Sequence, residues 1–207
     1  APAPGAAAPP AGRPVSALLR QPAFAVALLG AALGYGVMNL LMAATPLAMQ
    51  VCGFGFDSAA LVLEWHVIGM FAPGFFTGHL IKRMGTLPVM LLGVLLNLAC
   101  VGIALSGQEI AHFTAALFLL GVGWNFLFTG STTLAITAYR PEEKDRAQGA
   151  INFFVFATMA GTSLASGALV TTSGWNWLNL ASLPPLLLTG GALLWLMARQ
   201  RGVPQPG

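Results

Sequence analysis

Six long apolar stretches follow one another along the chain, each close to or longer than the run of about 20 residues that an α-helix needs to cross about 30 Å of hydrocarbon. They cover Pro22–Met49, Ala59–Ile81, Leu87–Leu105, Ala111–Ala138, Ala147–Val170 and Trp177–Ala198. Only 7% of the 207 residues are charged, against about 25% in a soluble domain. Nine basic and six acidic side chains cannot cover a soluble surface, and disorder would need the opposite composition. The expected fold is therefore all-α and integral to the membrane, a six-transmembrane-helix bundle with the lipid bilayer as its solvent. Short connections make successive helices antiparallel neighbours. Several ends carry boundary chemistry: Asp57 or Ser58 as a cap for the second span, Thr86 before Pro88 for the third, and Ser106 with Glu109 as a capping box opening the fourth.

The basic residues fix an orientation, because Lys and Arg near span ends stay cytoplasmic. Arg13 and Arg20 precede the first span, Lys82 and Arg83 separate the second and third, Arg140, Lys144 and Arg146 separate the fourth and fifth, and Arg199 and Arg201 follow the sixth. The opposite side has none. Six spans with both termini cytoplasmic follow, in a bacterial inner membrane. Residues 1–21 are Ala/Pro-rich and read as a flexible cytoplasmic linker, 22–198 as the transmembrane domain and 199–207 as a cytoplasmic tail. The chain starts at Ala1 and not at methionine, so a preceding N-terminal half is expected. A net charge of +3, thinly spread, suggests no nucleic-acid partner. Cys52 and Cys100 stand apart from any ligand cluster and read as apolar filler, with no metal or cofactor expected.

Gly78-His-Leu-Ile-Lys-Arg-Met-Gly85, between the second and third spans, resembles the Gly-x-x-x-Asp-Arg-x-Gly signature of the major facilitator superfamily, which lies between the second and third helices of each six-helix half. The segment Tyr139-Arg-Pro-Glu-Glu-Lys-Asp-Arg146 is similar to that family's loop between the fourth and fifth helices. The resemblance implies half of a twelve-helix fold, its seventh to twelfth helices, acting by alternating access on a small-molecule substrate. Its partner would be an N-terminal six-helix half, on the same or a separate chain, or a second copy. Gly78, Lys82, Arg83 and Gly85 would form a cytoplasmic gate motif. Lys82 stands where the signature has Asp, so Lys82 and Arg83 are expected either to pair with Glu142, Glu143 or Asp145 instead, or to serve as a positive-inside anchor with those acids in the first turn of the fifth helix.

Polar side chains inside hydrocarbon are costly and turn toward a cavity or a neighbouring helix. The first span carries Tyr35 and Asn39, the second Glu64 and His66, the fourth Trp124, Asn125 and Thr129, and the fifth Asn152, Thr158, Thr162 and Ser166. The third and sixth are plainer. That distribution agrees with the cavity-lining helices the resemblance implies. At a rise of about 1.5 Å per residue, Tyr35 and Asn125 lie about 20 Å and His66 about 13 Å from their span ends, near the midplane where carriers place their substrate. Tyr35, Asn39, His66, Trp124, Asn125 and Thr129 are thus the candidate substrate contacts, with an interhelical hydrogen bond the alternative for His66 and helix packing the alternative for Trp124 and Asn125. Glu64 and His66 point about 200° apart, so they cannot share one cavity. Glu64, the acidic residue clearly inside a span, is the candidate for proton coupling. Gly30/Gly34 and Gly74/Gly78 permit close helix approach, and Pro73 and Pro184-Pro185 invite bends.

Enzyme chemistry finds no support. Gly161-Thr-Ser163 would need a later histidine as base, but His66, His79 and His112 all precede it, and neither HExxH nor paired intramembrane aspartates occur. A filter-like repeat for a pore is missing too. A secondary carrier half is the favoured function; a self-assembling six-helix permease or a non-transporting membrane scaffold are the alternatives.

Overall fold

A computed structural model describes residues 12–201. Nine α-helices occur among them: α1 (Val15–Leu19), α2 (Pro22–Val51), α3 (Phe56–Phe71), α4 (Gly74–Met84), α5 (Thr86–Ser106), α6 (Ile110–Ile136), α7 (Lys144–Thr172), α8 (Gly174–Ala181) and α9 (Leu183–Arg201), with a 3-10 turn at Pro141–Glu143. Four of the expected spans are single helices within a few residues of their sequence bounds. The second is broken: α3 and α4 meet at a bend of 41°. Pro73 sits in that break and lacks the N–H that the Gly69 carbonyl would otherwise accept. The sixth is interrupted at Ser182, just before Pro184-Pro185, where α8 passes into α9.

Two end assignments change. Gly55 occupies the N-cap of α3, leaving Asp57 in its first turn, where its charge meets the positive end of the helix dipole. Ser106 closes α5 by donating to Ile103 O at 2.8 Å, and α6 starts after Glu109 with no side-chain cap. The capping box is not formed.

The long helices α2 and α6 lie against each other in the middle. α7 flanks α2 and α3 flanks α6, so α7, α2, α6 and α3 form one row; α5 packs behind α6, and α9 behind α2 and α5. The plainer third and sixth spans are therefore those outside the row. Close backbone approach holds it together. A Cβ on Gly121 would stand 2.5 Å from His66 O and 2.8 Å from Met70 N, and one on Gly69 2.5 Å from Phe118 O. Gly30 and Gly34 likewise meet Ser131 and Leu127 of α6, whereas Gly78 faces open space. The core divides into a cluster at the basic end around Leu18, Phe24, Leu134 and Ala147, and another toward the far end around Phe113, Leu120, Trp175 and Leu178.

The segment read as linker is partly structured. Residues 1–11 lie outside the described residues, but α1 places Leu18 fully inside the basic-end cluster. Arg13 grips Glu143 in a two-pronged ion pair, Nε to Oε1 and Nη2 to Oε2, both at 2.7 Å. The Arg13 and Arg140 backbone N–H groups add bonds of 2.9 Å to the same carboxylate. Arg146 Nη1 also donates to Gly12 O at 2.7 Å. At the other end of the chain, α9 runs on through Arg199 and Arg201, and residues 202–207 lie outside the described residues.

These bonds hold the Glu143 carboxyl far below the ordinary carboxylate value of 4.5, with Arg13 the larger cause and the Arg140 backbone the next. The folded pKa is depressed, so the stabilisation is complete above the unfolded value and is lost only as pH falls through the folded one. Limited proteolysis near Arg13 should therefore stay equally slow from neutral pH down to 4.5, whereas Glu143→Gln should speed cleavage across that range. Release of the segment in the parent near pH 5 would contradict the pairing.

Candidate functional site

Two neighbouring helices bring three rings together near the middle of the row. Trp124 and Phe128, at i and i+4 on α6, stack with centroids 5.2 Å apart and planes 8° apart. Tyr35 of α2 sets its edge against both, at 5.4 Å from Trp124 and 5.6 Å from Phe128. Tyr35 and Phe128 are half-buried and Trp124 is nearly covered. The indole N–H of Trp124 is buried with no acceptor among the described residues. Tyr35 lies about 20 Å along α2 from its start and Trp124 about 18 Å from the C-terminal end of α6, both counted from the basic side, so the cluster sits at mid-depth. Tyr35 and Phe128, the half-buried rings, offer π-surface to a planar solute, and the buried indole N–H becomes available to it only when the side chains around it part. Phe128 was not among the sequence candidates; its spacing from Trp124 was the available signal.

The amides and the histidine go elsewhere. Asn39 is turned into the α2–α7 interface, where Nδ2 donates among Ser163 Oγ (2.8 Å), Thr162 Oγ1 (3.0 Å) and Met159 O (3.2 Å). Asn125 closes the break between α3 and α4, its Nδ2 donating to Met70 O at 2.8 Å and its Oδ1 accepting from Thr77 Oγ1 at 2.7 Å. His66 is fully buried and bonds Leu117 O through Nδ1 at 2.8 Å, joining α3 to α6; Nε2 has no partner among the described residues. All three bond to a neighbouring helix, the alternative reading for His66 and Asn125, because buried polar groups in a close-packed bundle are satisfied by the helix next to them. Thr129 is half-buried, and its carbonyl accepts from the Thr132 and Thr133 hydroxyls.

Glu64 lies on the exposed face of α3, opposite His66 as their spacing requires, among exposed Leu61, Val67, Ile68 and Phe71. No ion pair reaches it among the described residues. At the basic end, Lys82 and Arg83 project from the last turn of α4, favourably placed at the negative end of its dipole. Gly85 ends α4 at φ +92°, a conformation that costs glycine nothing and strains other residues. The expected pairing of Lys82 and Arg83 with the acidic loop does not form: Glu143 is taken by Arg13, and Glu142 and Asp145 are exposed without a partner among the described residues.

The Major Facilitator Superfamily pattern matches residues 26–207. The chain belongs to that superfamily. It is 41% identical over 177 residues to a riboflavin transporter, RfnT, of Brucella anthropi, covering 86% of this chain and 44% of that protein. It is 28% identical to the uncharacterized MFS-type transporter YddS of Bacillus subtilis, over 79% of this chain and 38% of the relative. An H(+)/hexose cotransporter of Parachlorella kessleri is 32% identical over 63% of the chain and 24% of its own length. The chain thus spans less than half the length of the curated relatives it matches. Membership makes it an integral membrane protein of a transporter family, in contact with the lipid bilayer, and not an enzyme.

Proposed function

We propose that this chain is the C-terminal half, helices seven to twelve, of a secondary carrier that moves a small planar aromatic solute, of which riboflavin is the type, by alternating access. The observation that carries the reading is the mid-depth cluster of Tyr35, Trp124 and Phe128 with its unpaired indole N–H. Stacking on such rings contributes about 0.5–1.5 kcal/mol per aromatic pair, and a flavin's fused rings can stack on one of them while setting an edge against another. The similarity to a riboflavin transporter supports the same class of solute.

The flanking helices support the missing half. Phe71 and Phe75 on the second span and Phe153, Phe156 and Leu164 on α7 are between 64% and 89% exposed, and an N-terminal half, in the same chain or a separate one, would cover the side of the row that the bilayer does not. The basic residues toward both ends of this half support a cytoplasmic location for each, and the bacterial relatives support a bacterial inner membrane. Glu64, uncovered on α3, is the proton-coupling group.

The test is uptake of labelled riboflavin by cells lacking their own riboflavin uptake. With the N-terminal half present, flux should be robust and sensitive to a protonophore, and Glu64→Gln should remove that sensitivity while exchange of solute persists. This chain alone should give none. Robust flux from it alone would establish a self-assembling permease, and none in either form would leave a scaffold.

A further inference from the structure

The broken second span is attached to the rest of the bundle very unevenly. Its first part, α3, is fixed to α6 by backbone contact at Gly69 and Gly121 and by the His66 to Leu117 hydrogen bond. Its second part, α4, buries a single residue, Thr77, touches α6 otherwise through the edge-on pair Phe76 and Phe126 at 6.3 Å, and meets α5 across the Gly85 turn that joins them. The backbone across the break is not a continuous helix ladder: Phe75 N–H bonds back three residues to Ala72, and Met70 O takes its hydrogen from Asn125.

Thr77 has one hydroxyl hydrogen and two acceptors, Pro73 O and Asn125 Oδ1, each at 2.7 Å. When the hydroxyl leaves Asn125 it still has Pro73, so separation leaves no orphaned donor on α4. Asn125 Nδ2 meanwhile stays on Met70, on the fixed side of the break. The pivot holds while the far side is released.

We infer that α4 is a lever swinging about the Ala72–Pro73 break during transport, and that Asn125 is the positioning residue that clips it through Thr77. The inference rests on the carrier reading above. It also joins the ends of that reading: Asn125 is next in the chain to Trp124 of the aromatic cluster, and α4 ends in Lys82 and Arg83. A solute that shifts the Trp124 turn of α6 moves the clip.

The experiment uses the carrier with its N-terminal half, Cys52 and Cys100 replaced, and a single Met84→Cys at the exposed tip of α4. Thr77→Val should raise the rate at which a maleimide labels the thiol introduced at position 84 by about fivefold, the factor one lost neutral hydrogen bond gives, with KM for exchange unchanged and maximal rate altered; Thr77→Ser should restore both. Equal labelling in all three would overturn the clip. For protein with Thr77 intact, spin labels at positions 84 and 136 should change separation by about 3 Å on adding riboflavin, as a swing of about 10° gives a lever of 11 residues. A pair at 67 and 115, on α3 and α6, should hold still. No change at 84–136 in a preparation that carries flux overturns the lever. Absent flux in the parent fails the carrier reading itself, whatever the labels report.

Discussion

Gly121→Val should leave the bundle unable to assemble, with little protein surviving solubilisation as a monodisperse species. The Cβ position at Gly121 is 2.5 Å from His66 O, 2.8 Å from Met70 N and 2.9 Å from Gly69 C. Those are backbone atoms, so no rotamer change relieves the contact. α3 must move bodily away from α6, which also lengthens the His66 to Leu117 bond and the Asn125 to Met70 bond. Overpacking of this kind costs about 3 kcal/mol or more, and the lost hydrogen bonds between buried groups add to it. Gly102 on α5 is the control, since a Cβ there meets nothing within 4 Å; Gly102→Ala should be neutral or slightly stabilising, by helix propensity. Thermal unfolding in detergent, followed by size-exclusion chromatography, distinguishes the two. Equal stability of Gly121→Val and the parent would mean that the helices are not in contact there.

Much of this architecture was legible in the sequence, for a physical reason. Each span must bury its backbone polar groups in its own hydrogen bonds, so it has to be long, apolar and helical, and that requirement is written continuously over windows such as Thr86–Ser106. The bends were half legible. Pro73 and Pro184-Pro185 gave the cause, but the break itself falls where the neighbouring helix can take up a further carbonyl left without its helical partner, that of Met70, and Asn125 is 55 residues away from it. The site was the least legible part. Depth can be counted along a helix, but direction depends on the neighbour, so Asn39, Asn125 and His66 stood at the right level and turned into interfaces. Phe128 is one of 13 phenylalanines and acquires meaning only when Tyr35 arrives from α2. The Arg13 to Glu143 pair spans 130 positions, a separation that no local pattern encodes.

Trp124→Ala should cost more transport than any other single ring. It removes the face on which Phe128 stacks and Tyr35 abuts, and with it the only buried indole donor without an acceptor among the described residues. Loss of one stack and one hydrogen bond corresponds to about tenfold to a hundredfold in KM. Because Trp124 also belongs to the core, Tyr35→Ala serves as a second variant. Its ring is half-buried, so folding should survive while affinity falls by about tenfold.

Entrance counterflow in proteoliposomes tests the central claim directly. Vesicles holding the carrier with its N-terminal half are preloaded with unlabelled riboflavin and diluted into a trace of labelled riboflavin. Labelled solute should accumulate transiently above its outside concentration in the parent, and fail to do so with Trp124→Ala. Counterflow that is absent in the parent, or undiminished when Trp124 and Tyr35 are both removed, would contradict a carrier that binds its aromatic solute at this cluster.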